Sequence, residues 1–270
     1  MSPAKPPNEI DLGSQLRAWH LSGSLLVIGV LVAALVGIVF LLWPRATILH
    51  ESIDVDGMRR EYRLVVPRSV AGKRGVPVVF ALHGANDTVD EMAEYTGLDE
   101  LAIEQGFLLV YLQGRHLNWP PSIPPENPTL MEPDAAFFRT MCDRMVSDHG
   151  GDPRRIYLLG VSQGGAAANL LTAMCSERIA ATLVGCGWLP EPLGDAPLET
   201  ANKCPLLFIV GSRDRQVPPD FVREGHDAFE RAGHPVKFRV IDGFGHGWPR
   251  RENERVWEFL EGKRLPEAAE

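Results

Sequence analysis

The hydrophobic positions of this chain follow three patterns. Residues 25–43 carry no charged side chain and are almost wholly Leu, Val, Ile, Ala and Gly. At about 1.5 Å of rise per residue they predict a helix of about 28 Å, enough to cross the hydrocarbon core of a bilayer. Residues 61–66 alternate in strand fashion and predict an edge strand, whereas 76–82 is a continuous apolar run and 107–112 a second one, of the kind buried on both faces of a sheet, and further strands are readable at 155–159, 181–186, 206–210 and 236–241. Between them apolar residues recur at helical spacing: Met92, Leu98 and Leu101 within 89–105, and Phe138, Met141, Cys142 and Met145 in a helix that begins at Asp134 and stops at Gly150. A last helix is expected over 252–260. Repeated alternation of strand and helix predicts an α/β fold, a mostly parallel central sheet with helices on both faces, preceded by one N-terminal transmembrane helix. The expected organisation is a polar segment (1–24), an anchor (25–43), a folded domain (46–262) and a disordered polar tail (263–270).

The segment before the apolar stretch is long and mixed in sign, with Lys5, Glu9, Asp11 and Arg17, and the exit at Trp43, Pro44 and Arg45 has no small-residue cleavage pattern. These features favour an uncleaved anchor in a lipid bilayer over a signal peptide. Arginines on both sides leave the orientation undecided by charge. Gly29, Ala33 and Gly37 lie at four-residue spacing, which permits self-association through the anchor.

Composition changes the picture mainly by exclusion. A formal net charge of -8 without a basic stripe argues against a nucleic-acid partner. Cys142, Cys175, Cys186 and Cys204 form no CxxC, and no HExxH is present, so neither a metal nor a cofactor is expected. In an oxidising compartment one disulfide is open to Cys175, Cys186 and Cys204; in a reducing one all four thiols pack as small hydrophobes. The stretch 118–128 is too rich in proline for helix or central strand and predicts a rigid surface loop along a cleft, with Trp119 as a candidate substrate-binding residue.

Candidate chemistry starts at Gly160-Val161-Ser162-Gln163-Gly164. It matches G-x-S-x-G directly after a predicted strand and before a run of small residues, the context in which a sharp turn exposes a serine. A serine hydroxyl needs a base to take its proton and a carboxylate to hold that base in one tautomer. Asp214 follows the strand 206–210, and His246 lies in the glycine-flanked Gly243-Phe244-Gly245-His246-Gly247-Trp248-Pro249 after the strand 236–241. Both sit at strand ends, where α/β sites form. Asp220 is the nearest competitor for the carboxylate, and Asp242 is too near His246 in sequence. His83-Gly84-Ala85 follows another strand and would offer the Ala85 N–H, beside that of Gln163, as oxyanion donors, with His83 structural. Trp248 is a second candidate for substrate binding.

Several runs resemble the polyhydroxybutyrate depolymerase and feruloyl esterase family of α/β hydrolases: 61–67, Phe80-Ala81-Leu82-His83-Gly84, Thr96-Gly97-Leu98-Asp99, Gly106-Phe107, Asp134-Ala135-Ala136-Phe137 and 152–157. The resemblance covers about 53–260. It implies the α/β-hydrolase fold, a Ser162, His246 and Asp214 triad, and a domain facing outward, since the family is usually secreted. The loop Arg115-His116-Leu117-Asn118-Trp119 lacks the Cys-Trp element of many relatives, so their disulfide and substrate platform are not expected here. The expected activity is hydrolysis of carboxylic esters through an acyl-enzyme, on short acyl or polymer-linked esters. The alternatives are a serine peptidase of the same fold and an inactive anchored binding module.

Overall fold

A computed structural model describes residues 44–120, 122, 127, 129–191, 198 and 200–267. The expected anchor and most of the proline-rich loop therefore lie outside the described residues. Among the described residues no helix is long and apolar enough to cross a membrane.

An eight-stranded sheet has the order β1-β2-β4-β3-β5-β6-β7-β8. Its strands are β1 (Ala46–Val55), β2 (Met58–Pro67), β3 (Val76–Leu82), β4 (Leu108–Leu112), β5 (Gly151–Val161), β6 (Ala181–Gly185), β7 (Leu206–Gly211) and β8 (Val236–Ile241). The β1–β2 and β2–β4 pairings are antiparallel, and every pairing from β4 to β8 is parallel. The helices are α1 (Val89–Thr96), α2 (Leu98–Gln105), α3 (Glu132–His149), α4 (Gln163–Met174), α5 (Pro219–Arg231) and α6 (Asn253–Leu260).

Side-chain parity shows how the sheet is covered. Phe80 and Leu158 are paired neighbours on one face, where the Phe80 ring meets Phe138 of α3 edge-on at 5.1 Å. The adjacent residue Tyr157 points to the opposite face and meets Trp257 of α6, which also stacks on Phe107 at 4.6 Å. Helices thus cover both faces, as the double-sided apolar runs require.

Three expectations need correction. Residues 61–66 belong to β2, which is paired on both sides; the edge beyond it is β1, whose half-exposed pattern gives no strong signal, and β8 forms the opposite edge. The helix expected over 89–105 is two helices, because Gly97 adopts a left-handed φ of 63° and caps α1 through a bond from its N–H to Ala93. The tail is ordered as far as residue 267: Leu265 is buried, its N–H donates to the Arg154 carbonyl, and Arg154 also holds Glu267. Residues 268–270 lie outside the described residues.

Candidate active site

Ser162 stands between the end of β5 and the first residue of α4, with φ 56° and ψ −119°. That backbone is strained for any residue with a Cβ. The turn is held on all sides. The Ser162 N–H donates to the Gly185 carbonyl at 2.8 Å, and its own carbonyl accepts from Ala166 at 3.0 Å. A Cβ on Gly160 would overlap the Gly164 carbonyl, and one on Gly164 would overlap the carbonyls of Leu82 and His83. The glycines of the motif therefore serve close packing of helix on sheet.

His246 reaches the serine from the loop after β8. Its Nε2 lies 2.8 Å from Ser162 Oγ and its Nδ1 2.7 Å from Asp214 Oδ2. Asp214 follows β7 and is buried, and its Oδ1 accepts the backbone N–H groups of Gln216 at 3.0 Å and Val217 at 2.9 Å. With the carboxylate accepting at Nδ1–H, the imidazole is left with a bare Nε2 to accept from the serine hydroxyl. Asp220 lies in the exposed first turn of α5 and has no bond to His246.

His83 is fully buried, and its Nε2 accepts the Gly114 N–H at 2.9 Å and faces the Gln113 amide at 2.7 Å. Nδ1 therefore carries the proton and donates to the Gly84 carbonyl at 2.6 Å. Burial holds this imidazole below its ordinary pKa, which suits a neutral ring. In a trans peptide the N–H points opposite to the carbonyl, so this bond turns the Ala85 N–H away from His83. Gln163, as the first residue of α4, has an N–H with no intrahelical partner.

The two tryptophans part company. Trp119 is 2% exposed, with its Nε1–H donating to the His83 carbonyl and its backbone N–H to Gln163 Oε1, both at 3.0 Å. It braces Gln163 and the His83 carbonyl from behind and is not among the residues lining the cleft, because an indole with a buried partner for its N–H gains more by packing than by facing solvent. Trp248 does line the cleft, a space of about 440 Å³ bordered by Ser162, His246, Gly84 and Ala85. Asp87, Tyr95, Gln216 and Phe244 line it as well. Sequence reasoning gave none of these four a role: Asp87 and Tyr95 belong to no motif, and Gln216 and Phe244 stand beside the candidate Asp214 and His246 without a pattern of their own.

All four cysteines are free and buried. The disulfide considered among Cys175, Cys186 and Cys204 is not formed, and burial pushes each of those three thiols up to about 12.

With this geometry in place, comparison with known proteins is informative. A family model described as Esterase PHB depolymerase matches residues 60–189, and the Dienelactone hydrolase family model matches residues 134–268. The chain is 33% identical over 180 residues to a proposed esterase, NocK, of Nocardia uniformis subsp. tsuyamanensis, covering 65% of this chain and 51% of that protein. It is 25% identical over 196 residues to poly(3-hydroxyalkanoate) depolymerase C of Paucimonas lemoignei, covering 68% and 44%. The chain spans about half the length of these curated relatives. Among solved structures, a ferulic acid esterase superposes with a TM-score of 0.60 at 19% identity, over 80% of this chain and 96% of that one, a likeness of fold.

Proposed function

Because the chain belongs to the polyhydroxybutyrate depolymerase and feruloyl esterase family of α/β hydrolases, we propose that it is a serine carboxylic ester hydrolase working through Ser162, His246 and Asp214. The observation that carries the reading is the unbroken line of hydrogen bonds from Asp214 through His246 to Ser162 at the mouth of a cleft. In acylation Ser162 Oγ attacks the ester carbonyl as His246 Nε2 takes its proton, and the oxyanion is held by the N–H groups of Ala85 and Gln163. The imidazolium then protonates the departing alcohol. In deacylation His246 deprotonates a water that attacks the acyl-enzyme, and the returning proton restores Ser162 as the acid leaves. Each oxyanion donor is worth about 3 kcal/mol of barrier.

The test is covalent labelling with a fluorophosphonate together with turnover of a nitrophenyl ester series from acetyl to palmitoyl, with methyl ferulate and a hydroxybutyrate oligomer alongside. The open cleft favours short acyl esters, because each CH₂ left unburied forgoes about 0.8 kcal/mol. Absence of labelling at Ser162 would overturn the reading, and a preference for long chains would overturn the short-acyl part of it. We also propose that residues 25–43 anchor the protein in a membrane with the domain outside the cytoplasm. What supports this is the run of uncharged residues and the usually secreted family. Release of the protein by salt or carbonate washing of membranes would argue against the anchor, and protease accessibility in spheroplasts decides the side.

A further inference from the structure

The residues bordering the cleft have an uneven chemistry. Among the described residues no Lys or Arg lines it, and Asp87 brings a carboxylate. Three aromatic side chains, Tyr95, Phe244 and Trp248, share the same space. Asp87 and the nucleophile flank one glycine: the position a Cβ would take on Gly84 lies 3.8 Å from Ser162 Cβ and 3.9 Å from Asp87 Oδ2. The carboxylate is therefore within the span of a small ester bound at Ser162.

Asp87 is fixed in place. Its Oδ1 accepts the Thr88 N–H at 2.9 Å, and the Tyr95 hydroxyl bonds to its carboxylate. Among the described residues it has no cationic partner; its neighbouring carboxyl, Glu91, shares a side-chain hydrogen bond with it and adds charge of the same sign. Burial, the largest influence, raises the Asp87 carboxyl above its ordinary range. A carboxylate beside aromatic faces, without a resident cation, is the surrounding that attracts an ammonium group, through Coulomb attraction and the negative face of the rings. A ligand anion there would meet repulsion from Asp87 and Glu91.

Resting on the esterase reading, we propose that the cleft selects esters bearing an ammonium group close to the scissile carbonyl, with Asp87 as the specificity-determining residue and Tyr95, Phe244 and Trp248 as its aromatic wall. The ammonium group offsets the cost of keeping Asp87 ionised, so recognition strengthens where the carboxyl is deprotonated. No covalent step differs from ordinary ester hydrolysis.

The test compares acetylcholine with its uncharged isostere 3,3-dimethylbutyl acetate, using the full chain in detergent. In the wild type at low ionic strength kcat/KM for the cationic ester is expected to exceed that for the neutral one by about tenfold. The ratio falls toward one in the Asp87→Asn variant and as salt is raised. A ratio of one or less in the wild type, or a ratio unchanged by Asp87→Asn, would overturn the proposal. Calorimetric titration of the Ser162→Ala variant with the same two ligands reads recognition without turnover. Equal binding there sinks the selectivity even if the esterase reading stands, while selective binding without turnover or labelling in the wild type would sink the esterase reading instead.

Discussion

The Ser162 turn and the His246 loop bring two halves of the candidate site together by opposite means. Around Ser162 the glycines are places where backbone touches backbone: besides Gly160 and Gly164, a Cβ on Gly165 would lie 2.9 Å from the Gly185 carbonyl. Around His246 the glycines stand in open space, since a Cβ on Gly243, Gly245 or Gly247 would meet nothing within 4 Å. Two of these three, Gly243 at φ 69° and Gly247 at φ 128°, are required by conformation alone. The serine is clamped by packing, which tolerates no added atom. The histidine is aimed by backbone dihedrals and then fixed by its bond to Asp214.

The largest effects are expected along the proposed line from Asp214 to Ser162. Ser162→Ala should abolish fluorophosphonate labelling and lower ester turnover by about 10⁴-fold or more while leaving circular dichroism unchanged. Activity near wild type would remove the elbow from the mechanism. Asp214→Asn, on the loop side, should lower turnover by about 10⁴ by favouring the wrong tautomer of His246, with Asp220→Asn nearly silent. Exchange of those two outcomes in steady-state assays would place the carboxylate elsewhere.

Smaller effects sharpen the contrast between clamp and aim. Gly164→Ala forces a Cβ into two carbonyl groups and should cost about 3 kcal/mol or more, a fall in melting temperature of roughly 6–12 °C. Acid should act next. His83 and His234 are both held below the ordinary 6.5 by burial. The unfolded chain then binds protons that the folded one refuses. Stability from these groups is complete above pH 6.5 and is lost as pH falls toward their folded pKa values, at about 1.4 kcal/mol per unit per histidine. Denaturant titrations at pH 7.5 and 5.5 read this, and His83→Gln should flatten the slope. Smallest is Gly245→Ala, in open space and without a left-handed φ, expected within about 0.5 kcal/mol of wild type. A large loss there would show that the loop is packed after all.

The sequence was most legible where one residue type has one physical use. The buried strands declared themselves because residues apolar on both faces leave a continuous run, and 76–82 coincides with β3. The elbow glycines declared themselves because nothing larger fits. Residues whose role depends on distant partners stayed hidden. Asp134, read as the start of a helix, lies inside α3, fully buried and bound to Arg60 and Arg115. Trp119 sits in a loop that looked solvent-facing, and only the carbonyl of His83, 36 residues away in sequence, explains its burial. Asp87 and Tyr95 escaped notice because a cleft wall is assembled from side chains that share no spacing rule.

The backbone of Ser162 has a consequence that concerns handedness. Its dihedrals of 56° and −119° are close to the mirror image of those at the second residue of a type II turn, a region natural to glycine or to a D-amino acid. An L-side chain there is held against its own chirality, at a cost of about 1–3 kcal/mol that the rest of the domain supports. Alanine keeps that cost and loses the hydroxyl, whereas glycine loses both. Ser162→Gly should therefore be as inactive as Ser162→Ala yet melt at a higher temperature. The position proposed as nucleophile is also one where the fold would be steadier without its side chain.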